Sequence, residues 1–390
     1  MPPDRPIDLS LPFRRREVAQ SVASAISKAA AEIGRHVKIM DFCGTHEWTI
    51  THFGLRSLMP ENVELVAGPG CPVCITPGYY VEVAVRLAVD GIRVFTFGDA
   101  YRLPSWTGSG LPNSLEEAKA SGGNVEIVYS VLDAVKIARE DEKESLFLAV
   151  GFETTAPATL SPVAGGDVPP NLTFINVHRL TPPIMRYVLD THPGAPIDGV
   201  IAPGHVSAIV GARAWEFIPV EYGVPTVVAG FEPVDILIAV LEILRQIKSG
   251  KAELVNEYRR VVGWEGNRAA QRVIESTCEV CEACWRGIGF VPSSGLRFRP
   301  EYRAVDAMAA YGIPELTEER WKADLPPGCR CAEVTLGMAK PTDCQLFMKG
   351  CTPDRPYGPC MVSSEGTCSI WARFGGGGLA EEVGRELGVI

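Results

Sequence analysis

The feature that most constrains this chain is the alternation of short apolar runs with helical stretches from residue 14 to about 249. Residues 37–42, 63–67, 93–97 and 125–129 read as strands, separated by helical patterns at 79–89, 114–120 and 131–139. The alternation resumes at 146–152, 174–177, 199–202 and 226–229 and ends in a helix from 233 to about 248. Parallel strands cannot be joined by a tight turn; they need a crossover, usually a helix. The pattern therefore predicts an α/β fold of parallel sheets with helices on their faces. An amphipathic helix over residues 14–35, closed by Gly34, precedes the first strand.

After residue 250 the texture changes to polar helix, turns and a Cys-rich tail. Four segments are expected: an N-terminal helix (1–36), an α/β domain (37–145), a second α/β domain of similar design (146–249), and a smaller Cys-rich iron-sulfur domain (250–390). Gly151-Phe152-Glu153 is echoed by Gly230-Phe231-Glu232, each where a strand gives way to a helix. In open parallel sheets reactive groups collect beyond the carboxyl ends of the strands. Cys43-Gly44-Thr45-His46-Glu47 and Gly68-Pro69-Gly70-Cys71-Pro72-Val73-Cys74 follow the first two strands, so they should lie side by side.

Charge narrows the class. With 37 Lys and Arg against 47 Asp and Glu, the net charge is −10 and no basic stripe exists for a nucleic acid. Arg14-Arg15-Arg16 reads as a solvated helix start. No stretch reaches signal-peptide length or the roughly 18 apolar residues of a membrane span; residues 236–244 are short and interrupted by Glu242. A cytoplasmic protein is expected, and there twelve cysteines point to metal or redox chemistry rather than disulfide staples.

Cys43 sits where a helix N-terminus and a nearby imidazole, His46, can lower a thiol pKa, which favours function over a buried small side chain. Cys71 and Cys74 form a Cys-x2-Cys pair suited to reversible disulfide formation or to half a metal site. The next such pair, Cys278 and Cys281, lies about 200 residues on, far beyond the roughly 15–20 of a zinc ribbon, so the redox reading is favoured. Cys278-x2-Cys281-x2-Cys284 begins like a ferredoxin run but carries Ile288 where the fourth cysteine belongs, and reads as accessory thiols. In the tail, Cys331, Cys344, Cys351 and Cys368 offer four soft thiolates in a Pro- and Gly-punctuated segment, favouring a four-iron cluster over zinc. Cys329 and Cys360 stand as alternative ligands.

Glu153 and His205 also follow strands, with access to a shared cleft or a purely structural place. His36, His178 and His192 lack partners and read as structural, and Gly375 to Gly378 as a flexible turn. Neither glycine-rich nucleotide motif is present, so nucleotide binding has no support.

Taken together, Cys43 to Glu47, the Gly68 to Cys74 loop, Gly151-Phe152-Glu153-Thr154-Thr155-Ala156-Pro157, Pro203-Gly204-His205-Val206-Ser207, Trp285-Arg286-Gly287-Ile288-Gly289, Cys351-Thr352-Pro353 and Gly358 to Gly366 closely resemble the HypD family of nickel-iron hydrogenase maturation proteins. The resemblance runs from about residue 15 to 372. It implies a scaffold, working with the chaperone HypC, on which an iron carrying two cyanides and one carbon monoxide is assembled for the hydrogenase large subunit. HypE would deliver cyanide, with HypF upstream. By the same resemblance Cys43 would ligate that iron with His46 nearby, Cys71 and Cys74 would be the redox dithiol in contact with the metal chemistry, and the tail would hold a 4Fe-4S cluster. No classical small-molecule turnover is expected of such a scaffold. The Cys278, Cys281, Cys284 run departs from the family pattern. The rival reading is an iron-sulfur thiol-disulfide oxidoreductase acting on a protein partner, with Cys43 structural.

Overall fold

Every apolar run read as a strand becomes one, and every pairing among the first nine strands is parallel. The computed structural model describes residues 14–105, 110–191, 196–322 and 324–375. His192, most of the Gly375 to Gly378 run and the first thirteen residues lie outside them. The strands are β1 (Val37–Asp41), β2 (Val63–Ala67), β3 (Arg93–Thr96), β4 (Val125–Ile127), β5 (Ser145–Gly151), β6 (Leu172–His178), β7 (Gly199–Pro203), β8 (Thr226–Ala229) and β9 (Leu254–Asn256). An antiparallel hairpin follows, β10 (Cys278–Trp285) and β11 (Gly289–Phe298). Neither β9 nor the hairpin is marked by an apolar run of the kind that announces the other strands.

The strands form two parallel sheets, ordered β2-β1-β7-β8-β9 and β4-β3-β5-β6. The division expected at residue 146 is therefore not where the sheets divide. The chain leaves the first sheet after β2, builds the whole of the second from β3 to β6, and returns at β7. Both sheets use the same apolar run and crossover helix, so a change of sheet leaves no mark in the pattern. The expected N-terminal helix, Arg16–Ile33, closes at Gly34 and is no separate unit. It packs on the helix Pro233–Ser249, and its Ile26, Ala29 and Ala30 join a core with Ile39, Val227 and Leu237 of the first sheet's unit.

In the first sheet the strand order reverses at β1, whose neighbours are β2 on one side and β7 on the other. Such a switch point opens a crevice at the carboxyl edge. The Cys43, Cys71/Cys74, His205 and Phe231 segments all emerge at that edge. The hairpin joins the free edge of the second sheet through an Arg179 to Gly295 bridge and the Leu180 N–H donating to Ser294 O at 2.8 Å.

The Trp285-Arg286 corner ties the hairpin to the site. The Arg286 N–H donates to Ile75 O at 2.8 Å, just beyond the Cys71 to Cys74 loop, and its guanidinium donates to Asp324 O at 2.9 Å. Asp324 in turn accepts from the Gly78 N–H at 2.9 Å, so one buried ion pair, 3.4 Å across, fastens loop, hairpin and tail. The tail folds back over the crevice, where its helix Thr367–Phe374 packs against the helix Gly44–His52. No helix among the described residues is long and apolar enough to cross a membrane.

Candidate metal and thiol centre

Cys43 caps the helix Gly44–His52 from extended backbone, φ −146° and ψ 125°. The Gly44 N–H donates to Gly70 O at 3.2 Å, which joins the two loops expected side by side. Their approach needs glycine: a methyl on Gly70 would stand 2.5 Å from Cys43 N. Cys71 and Cys74 are joined as a disulfide and are 4% and 3% exposed. The Cys74 N–H donates to Cys71 Sγ at 3.2 Å.

From the other side comes the tail. A methyl on Gly366 would overlap Cys360 O and stand 3.1 Å from Cys74 Sγ, so this segment rests directly on the disulfide. The result is a narrow cavity lined by Cys43, Cys71, Cys74 and Cys360 together with Asp41, Glu47 and Glu365. Three groups of cysteines far apart in sequence thus meet in one place.

The carboxylates differ in their partners. Glu47 accepts from Arg56 Nη2 at 2.6 Å, Thr51 Oγ1 at 3.0 Å and Trp371 Nε1 at 2.7 Å. Among the described residues Glu365 accepts a single 3.5 Å bond, from Thr45 Oγ1, and burial followed by the nearby Asp99 raises its pKa. Burial pushes the Cys43 thiol up to about 12, with Glu365 and Asp41 adding to the rise and the backbone N–H groups of His46 and Thr45 opposing it. The expectation that the helix end holds Cys43 deprotonated is therefore corrected: burial and carboxylates outweigh two N–H dipoles. Burial thus favours the protonated form of Cys43.

His46 does not line this cavity. Its Nε2 lies 3.2 Å from Ala229 O at the end of β8, and its ring packs 4.8 Å from Phe231. Burial lowers its pKa to about 4, leaving it neutral. His205 stacks on Phe231 at 3.8 Å, so the two histidines flank one phenylalanine. Glu153 stands at the edge of the other sheet and accepts from the Thr181 N–H at 2.7 Å, capping the helix Thr181–Thr191; burial raises its pKa to about 7. His178 Nδ1 meets Asn176 Oδ1 at 2.7 Å, and His36 faces Glu64 at the surface.

Deeper in the tail, Cys331, Cys360 and Cys368 are buried with their sulfurs within 4.8 Å of one another. Cys329, Cys331, Cys344, Cys351 and Cys368 line a second cavity beside them. Cys351 Sγ accepts from the Tyr357 N–H at 3.3 Å, and Cys360 Sγ from the Cys368 N–H at 3.2 Å. Hydrogen bonds from Cys331 and Cys368 pull the Cys360 pKa well below the usual thiol value, while Cys368 is pushed up. Six soft donors, one already disposed to ionise, form a site that can hold a metal ion or cluster. Cys360 belongs to both places, reaching the Cys43 cavity from among the tail thiols.

Cys278, Cys281 and Cys284 are not drawn into either cavity. They lie along β10, with Cys278 and Cys284 buried as small apolar side chains and Cys281 half-buried. The sequence reading assigned no role to Asp41, Phe231 or Glu365. Asp41 stands two residues before Cys43, Phe231 in the Gly230-Phe231-Glu232 echo and Glu365 in the Gly358 to Gly366 segment, but none of these placements by itself marks a residue of the site.

A family model described as "HypD: Hydrogenase formation hypA family" matches residues 17–375. A protein of Methanocaldococcus jannaschii named for hydrogenase expression and formation is 42% identical over 363 residues, 92% of this chain and 98% of its own length. Hydrogenase maturation factors named HypD are 40% identical in Cupriavidus necator, covering 93% of this chain and 96% of theirs, and 41% identical in Rhodobacter capsulatus, covering 95% and 98%.

Proposed function

This chain belongs to the HypD hydrogenase-formation family and is a hydrogenase maturation factor, and on that premise we propose that it is the scaffold on which iron is fitted with cyanide and carbon monoxide. In this reading it works in the cytoplasm with a HypC-type chaperone and receives cyanide from HypE, itself served by HypF. The observation that carries the reading is the single cavity walled by Cys43, the Cys71–Cys74 disulfide and Cys360.

Cys43 is the anchor. Iron with strong-field diatomic ligands is soft and prefers a thiolate. A metal ion replaces the proton that burial holds on the Cys43 sulfur. Asp41, Glu47 and Glu365 bring carboxyl oxygens into the same cavity beside that thiol. His46, turned to Ala229, fixes the helix that carries Cys43 rather than touching iron.

Cys71 and Cys74 supply electrons. Releasing cyanide from a thiocyanate-like donor breaks the sulfur–carbon bond and takes two electrons. The open dithiol gives both as it closes to the disulfide; one of its protons goes to the donor's sulfur, the other is released, and cyanide passes to iron. The buried disulfide seen here is the spent form.

The tail thiols fit a 4Fe-4S cluster by donor type and by their grouping around one cavity. Cys331, Cys344, Cys351 and Cys368 would hold it, with Cys329 the alternative to Cys331. Such a cluster, itself re-reduced by an external electron donor, would supply two electrons one at a time to reopen the disulfide, which takes up two protons. Cys360, on the side facing the disulfide, then lies between the two redox groups. The oxidoreductase reading is disfavoured, since it leaves Cys43 structural although Cys43 lines the same cavity as the disulfide. Cys71→Ser tests the dithiol: the iron of the HypC complex should lose cyanide incorporation from loaded HypE while the brown cluster remains. Full incorporation at the normal rate would remove that role from the pair.

A further inference from the structure

We propose that Asp41 is a second, oxygen-donor ligand of the cavity, which with Cys43 receives iron as a ferrous ion before the diatomic ligands are attached. The proposal rests on the reading of Cys43 as the iron anchor.

Asp41 ends β1, and Cys43 is itself extended. Residues two apart on extended backbone point to the same side, and both side chains line the same cavity. Asp41 is 2% exposed and its carboxyl oxygens make no hydrogen bond of normal geometry; burial, then the neighbouring Glu47, raise its pKa well above the usual carboxylate range, against Arg56 and the Cys43 N–H. Glu47, in the same wall, is held by Arg56, Thr51 and Trp371. Buried carboxylates are otherwise paired or bound to metal. An aspartate left bare in a wall beside a thiol is a ligand in waiting.

The chemistry of the cargo gives that ligand a use. Ferrous iron without strong-field ligands is harder than the finished centre and accepts carboxylate oxygen readily, whereas cyanide and carbon monoxide leave an iron that prefers sulfur. On arrival a divalent ion displaces one proton from Cys43 and one from Asp41, and the resulting thiolate and carboxylate neutralise it. Among the described residues only the tail brings three ligand atoms within mutual reach. The cavity thus offers two ligands and leaves the remaining positions to a partner and to the incoming diatomics. As these enter, Asp41 lets go and Cys43 keeps hold.

The test uses cobalt(II) as probe on the anaerobic, cluster-loaded full chain with the Cys71–Cys74 disulfide closed. The wild type should bind cobalt with a sulfur-to-cobalt charge-transfer band, and Cys43→Ala should abolish that band. Asp41→Asn should keep the band but weaken binding by about tenfold or more, since even groups that only hydrogen-bond a ligand are worth about 10–100-fold. If Asp41→Asn binds as tightly as the wild type, the proposal fails and the Cys43 reading stands. If Cys43→Ala keeps the band, both fail. Should Asp41→Asn not fold, infrared difference spectra of wild type labelled with 13C-aspartate decide the matter. A single carboxyl band shifting on cobalt addition supports the proposal; no labelled band moving overturns it.

Discussion

A thiol that burial and two carboxylates hold in its protonated form is a poor nucleophile and a good place to put a cation. The Cys43 thiol, pushed up to about 12, should therefore react slowly with iodoacetamide at pH 7.5, and faster only well above the range of a free cysteine. Glu365→Gln removes the larger of the two charges behind that shift and should speed labelling, read by peptide mass spectrometry. Labelling of Cys43 as fast as an exposed thiol would contradict the assigned electrostatics. Glu153 makes a separate prediction in the other sheet. Its folded pKa, about 7, lies above its ordinary 4.5, so the folded state binds that proton more tightly. Its contribution is complete below about pH 4.5 and is lost as pH rises through about 7, a change of at most about 3 kcal/mol. Glu153→Gln keeps an oxygen for the Thr181 N–H, so its thermal midpoint should fall less than the wild type's between pH 5 and 8. Equal falls would show that Glu153 is not buried as described.

At the scale of elements, the site depends on two loops meeting where Gly70 lies against Cys43. Gly70→Ala sets a methyl 2.5 Å from Cys43 N and should cost about 1–3 kcal/mol through backbone shift. It should also lower iron retained by the HypC complex while the cluster absorbance stays, measured by iron analysis and visible spectra. Unchanged retention would mean that the loops need not touch. The eight runs read as strands were legible because a parallel strand buried on both faces is a continuous apolar run, as in β5, where all seven residues are buried. Which sheet each joins was not, since β2 and β3 look alike in composition yet part company in space. The hairpin was hidden because Cys278, Cys281 and Cys284 drew attention as ligands when β10 uses them between outward-facing glutamates. Ser293, at φ 55°, marks an irregularity in β11 that breaks the alternation. Cys43, Cys71 and Cys74 were legible from their neighbours; Asp41 and Glu365 were not, because what distinguishes them is the cavity they share.

Over the whole molecule, the tail that carries the six thiols proposed to hold a cluster also covers the Cys43 cavity. The helix Thr367–Phe374 lies on the helix that starts at Cys43, Trp371 holds Glu47, and the Gly366 segment rests on the disulfide. Stripping the cluster with an anaerobic chelator should therefore lower the thermal midpoint and also raise the labelling rate of Cys43, some distance from the iron removed. A lower midpoint with unchanged Cys43 labelling would separate lid from cluster. Colour distinguishes the cluster from a structural zinc, which is colourless. The central claim, that this chain is the scaffold for an iron carrying cyanide and carbon monoxide, is met most directly by an anaerobic infrared spectrum. The sample is the protein co-purified with its HypC-type partner in the presence of active HypE and HypF. Metal-bound cyanide and carbon monoxide bands that vanish with Cys43→Ala are the predicted result; a brown complex without such bands would contradict it.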